Sequence, residues 1–143
     1  MEARKGRLKQ FLLATVTSFL FLVVINALLF PVFFPDGPPE MYENRRLVPL
    51  YGYHLLAFLV TAFMMSLLYP MVYRGGPAWR EGLKTGIVVG LFVSLPENLH
   101  VYAQVDMPFI AGLAPALWVT VIWGLAGIVI GYVYHFRSSD TGS

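Results

Sequence analysis

The stretch SLPENLHVYA, residues 94–103, sets Glu97 and His100 three positions apart inside a long apolar run. On a helix, such a Glu-x-x-His step puts a carboxylate and an imidazole on one face. Di-iron carboxylate bundles use two such steps plus two further glutamates. Only one step is present here, and no apolar run carries another carboxylate, so a di-iron centre does not fit. A haem asks for less. His54 and His100 fall at similar depth on consecutive antiparallel runs. Two axial imidazoles would hold the iron of a haem b between them, with Arg45 and Arg46 near the propionates. Metal ligation by His54 and His100 is expected only in that case, and otherwise no cofactor is expected. His135 lies at the opposite edge and reads as an interfacial cap.

Asn26, His54, Glu97 and His100, with Arg45 and Arg46 above them, define a candidate pocket in the outer half of a membrane bundle. Haem, a quinone or a lipid would suit it, because ionisable groups at membrane depth are functional candidates by default. A plainer reading uses the same residues as glue. Glu97 then pairs with Arg45 or Arg46, and His100 hydrogen-bonds across helices. Pro96 also lacks an N–H and frees a carbonyl one turn back, near Phe92, which polar neighbours would have to serve. The chain has no Cys, which removes disulfides, thiolate zinc sites and thiol catalysis. No Ser-His-Asp arrangement, Gly-rich phosphate loop or HExxH motif is visible. The chain is therefore read as not an enzyme.

The elements that must position these residues are apolar helices. Of 143 residues, 57% are hydrophobic and 13% charged, where a soluble domain carries about 25% charge. Four apolar runs predict membrane spans over about residues 8–34, 50–73, 82–105 and 109–136. The expected fold is an all-α integral membrane protein, one four-helix bundle over residues 1–143. Basic residues gather before the first span, between the second and third, and after the fourth: Arg4, Lys5, Arg7, Lys9, Arg74, Arg80, Lys84 and Arg137. The positive-inside rule then places both termini in the cytoplasm. These cations mark topology, so the pI near 9.0 does not call for nucleic acid. Aromatic residues predict interfacial belts, with Tyr69, Tyr73, Trp79, Tyr132 and Tyr134 on the inner side.

At about 100° per residue, Gly82, Gly86, Gly90, Ser94, Glu97, His100 and Gln104 are read as one side of the third helix. The first four, three glycines and a serine spaced by four, form a small-xxx-small glycine ladder that lets backbones approach closely. Ala116, Thr120, Gly124, Gly127 and Gly131 make a matching stripe on the fourth. Thr15, Ser18 and Asn26 on the first helix, and His54 and Thr61 on the second, complete four small or polar faces. Tight glycines inside and bulkier polar residues outside predict a bundle that opens outward.

The runs KQFLLA, REGLKTGIVVGL, NLHVYA and WGLAGIVIGYVY resemble small bacterial four-helix membrane proteins of unassigned function. The resemblance implies a compact bundle in the cytoplasmic membrane of a bacterium, and no activity. The function expected is that of a non-catalytic accessory or structural subunit, packed in the lipid bilayer against other integral membrane proteins. The alternatives are a haem-, quinone- or lipid-binding protein using the outer pocket, and a small transporter working as a homo-oligomer.

Overall fold

The computed structural model describes residues 2–33, 51–104 and 108–136. It is all-helical: α1 (Glu2–Phe33), α2 (Tyr51–Val72), α3 (Ala78–Gln104) and α4 (Phe109–Phe136). All four are long and apolar enough to cross a membrane, because each carries about 20 apolar residues against a hydrocarbon core of roughly 30 Å. The chain is thus a membrane protein built from four apolar helices. Arg45 and Arg46 lie outside the described residues.

Helix ends differ from the sequence reading where charged residues meet apolar runs. α1 begins at Glu2 rather than near Leu8, since a helix pattern runs back through its basic start. α3 begins at Ala78, because Pro77 caps it: the N–H groups of Arg80 and Glu81 both donate to the Pro77 carbonyl at 3.0 Å. The connection from α2 is therefore short, residues 73–77. Gly75 turns it with a φ of +86°, a left-handed conformation that glycine adopts without steric penalty.

α3 packs along α4 over most of its length. α1 lies against α2 and α4, and α2 touches α3 only lightly. Facing residues on α3 and α4 run antiparallel: Ala78 against Gly131, Gly82 against Gly127, Gly86 against Trp123 and Gly124, and Gly90 against Thr120. A Cβ added at Gly82, Gly86, Gly127 or Gly131 would collide with a carbonyl oxygen of the opposite helix. The second α-hydrogen of each glycine stands in that place and points at the oxygen, a weak Cα–H···O contact repeated along the seam. Ser94 extends it, its hydroxyl lying 2.6 Å from its own Gly90 carbonyl and 3.2 Å from the Ala116 carbonyl across the seam.

Two apolar clusters hold the other helices to α4. Leu22 of α1, Ala62 of α2 and Ile122 and Ala126 of α4 form one. Met65 and Tyr69 of α2 with Ile130 of α4 form the other. α4 is thus the central helix, and the end carrying the α2–α3 turn is knitted most closely.

Candidate functional site

The polar stripe of α3 divides in two. Gly82, Gly86, Gly90 and Ser94 are buried against α4, whereas Glu97, His100 and Gln104 are exposed. Asn98 continues the buried ridge instead. It is half-buried, and its amide donates to the Ser94 carbonyl at 2.8 Å. The reason is helical geometry: steps of four follow one inclined ridge, and the step of three from Ser94 to Glu97 leaves it. This amide therefore serves the Ser94 carbonyl and not that of Phe92, the one Pro96 leaves without an N–H.

His100 is tied within its own helix, its Nε2 lying 2.7 Å from Nε2 of Gln104. His54 is also exposed, with its ring 6.2 Å from that of Phe58. Asn26 is half-buried on α1. Among the described residues, no hydrogen bond or ion pair joins Asn26, His54, Glu97 or His100 to one another. No three His, Asp or Glu side chains among the described residues converge as metal ligands do.

A second cluster sits at the turn end, where the sequence suggests only an aromatic belt. Tyr69 and Tyr134 lie with ring centroids 5.4 Å apart, and Tyr69 and Tyr73 5.7 Å apart. The Tyr73 hydroxyl donates to the Gly76 carbonyl at 3.1 Å and lies 2.9 Å from Nε2 of His135. With the single hydroxyl proton spent on Gly76, an imidazole Nε2–H supplies the second bond. His135 thus fastens the end of α4 to the turn, a more specific role than that of an interfacial cap. Tyr134 donates to the Ser66 carbonyl at 2.9 Å. Residue 70 is proline, so Ser66 has no N–H one turn ahead to serve it. A hydroxyl from α4 fills that gap. The signal was legible in part: each internal proline marks a carbonyl four residues earlier that needs a donor. Trp79 and Tyr132 are exposed.

The light contact between α2 and α3 leaves an open cleft. Its middle, about 490 Å³, is walled by Val60, Met64 and Leu68 of α2 and Val88 and Phe92 of α3, over Trp123 of α4. A neighbouring lobe of about 330 Å³ shares Leu68 and Val88 and ends at Arg74, Glu81 and Lys84. One side of the molecule therefore carries an apolar channel with charges at the turn end, and the exposed Glu97–His100 stretch lies beyond the other end.

Comparison with protein-family models, curated proteins and solved structures finds no match. The class of protein, a membrane bundle of four apolar helices, rests on the chain's own geometry.

Proposed function

We propose that the chain is a membrane subunit without catalysis of its own, and that it packs against other integral membrane proteins through the exposed polar side of α3. One observation carries this reading. α3 is the least apolar of the four spans, yet it is no better buried than α1 or α2: 17% of its most apolar stretch is buried, against 22% in each of those and 39% in α4. Inside a bilayer the opposite order is expected, since a polar or ionisable side chain facing hydrocarbon is costly. Glu97, His100 and Gln104 stand on that exposed side. A partner helix there gives them polar company, and helices in lipid associate through such contacts and close packing. Both termini and the α2–α3 turn face the cytoplasm of a bacterial cell, in keeping with Arg7, Lys9, Arg74, Arg80 and Lys84 at that end.

Photo-crosslinking in intact cells tests the docking face. A reactive residue at position 97 or 100 is expected to give a discrete adduct with another membrane protein. The same residue at the exposed Val16 of α1 is expected to give none. An adduct of twice the chain's mass makes the face a self-interface and favours a homo-oligomeric transporter. No adduct from either α3 position, or equal adducts from Val16, defeats the reading.

A further inference from the structure

We propose that the α2–α3 cleft holds one anionic phospholipid, its phosphate between Arg74 and Lys84 and one acyl chain against Leu68, Val88 and Phe92. Length, lining and charge point to the same occupant.

From Val60 to Val72 the cleft follows 12 steps of α2, roughly 18 Å at about 1.5 Å per residue. One leaflet's hydrocarbon is half of the ~30 Å core, about 15 Å. The cleft is thus as long as a single acyl chain, and it stops near mid-membrane. Its middle is apolar apart from Thr61. The charged groups all stand at the turn end, where a headgroup would lie.

Charge there balances toward an anion. Arg74 and Lys84 line the lobe with Glu81, leaving one net positive charge. Arg74 makes no ion pair among the described residues. Lys84 bonds Glu81 at 3.0 Å; the Glu81 side chain is only 12% exposed, whereas that of Lys84 is 58% exposed. The ammonium thus reaches into the open lobe and keeps further donors for a phosphate. Basic pockets between membrane helices bind anionic headgroups in this manner.

The test uses the full-length protein in nanodiscs holding phosphatidylglycerol and phosphatidylcholine with identical acyl chains in equal amounts. Native mass spectrometry after release counts the lipid that stays bound. One phosphatidylglycerol is expected to be retained in preference to phosphatidylcholine. Arg74→Gln with Lys84→Gln is expected to lower that preference by roughly fivefold per cation, on the order of twentyfold together. Arg7→Gln with Lys9→Gln removes the same charge from α1 and is expected to leave the preference in place. Val88→Trp, at a position exposed in the cleft wall, is expected to reduce retention of both lipids. Equal retention of the two lipids by the unaltered protein overturns the proposal. So does an equal loss in the α1 variant, unchanged retention in Val88→Trp, or a polypeptide in place of lipid.

Discussion

Pro70 withholds an N–H from the Ser66 carbonyl, and Tyr134 returns a hydroxyl from a different helix. In a membrane no water stands by to do this, so the exchange has a measurable value. Tyr134→Phe is expected to cost about 1–3 kcal/mol, the range for leaving a buried acceptor unserved. Unfolding in mixed detergent micelles would read it. Pro70→Ala restores the N–H, so the Tyr134→Phe cost is expected to shrink in that background. Additive losses in the double variant would show that the Tyr134 hydroxyl does not act through the carbonyl that Pro70 leaves unserved. Tyr73→Phe removes a bond to the turn and one to His135, and about 1 kcal/mol per bond is expected on the same assay. Glu97 offers the contrast. Its type and depth drew attention in the sequence, yet one step of three instead of four takes it off the packed ridge.

The α3–α4 seam turns residue spacing into an element-scale property. Gly127 faces backbone: a Cβ there would strike the Gly82 carbonyl. Gly124 faces side chains, with Leu83 Cδ1 at 3.1 Å and Ile87 Cγ1 at 3.3 Å from the place a Cβ would take. Gly127→Ala is therefore expected to lose about 1–3 kcal/mol or more, the range for overpacking. At Gly124→Ala the two side chains can give way, and helix propensity returns up to about 1 kcal/mol, so a near-neutral result is expected. Thermal melting in one detergent compares them; equal losses would mean the seam is looser than these contacts require. The sequence carried this seam plainly, because four-residue spacing of small residues lets two helix backbones approach closely in lipid. It carried the four helices too, through apolar length alone. What it could not carry was the pairing of α2. Nothing in the spacing of Val60, Met64 or Leu68 tells a face that packs on a helix from one that borders a cleft, since both are uniformly apolar.

At the scale of the whole molecule, α4 touches every other helix, while among the described residues α1 and α3 do not meet. Removing α4 would thus leave α1 packed on α2 and strip α3 of nearly all its packing. The order of synthesis gives this arrangement a temporal meaning. α3 leaves the ribosome before the helix that covers its glycines, and it carries Glu97 and the least apolar span of the four. A carboxylate within a span opposes insertion, so α3 is expected to gain a firm hold on the bilayer only when α4 arrives and the two close as a hairpin. A chain ended at Gln104 is expected to leave α3 open to protease in isolated membranes, where the full chain protects it; equal protection would mean that α3 enters by itself. Birth of the protein is then not a succession of four equal events. Its third helix waits, half committed, for the fourth.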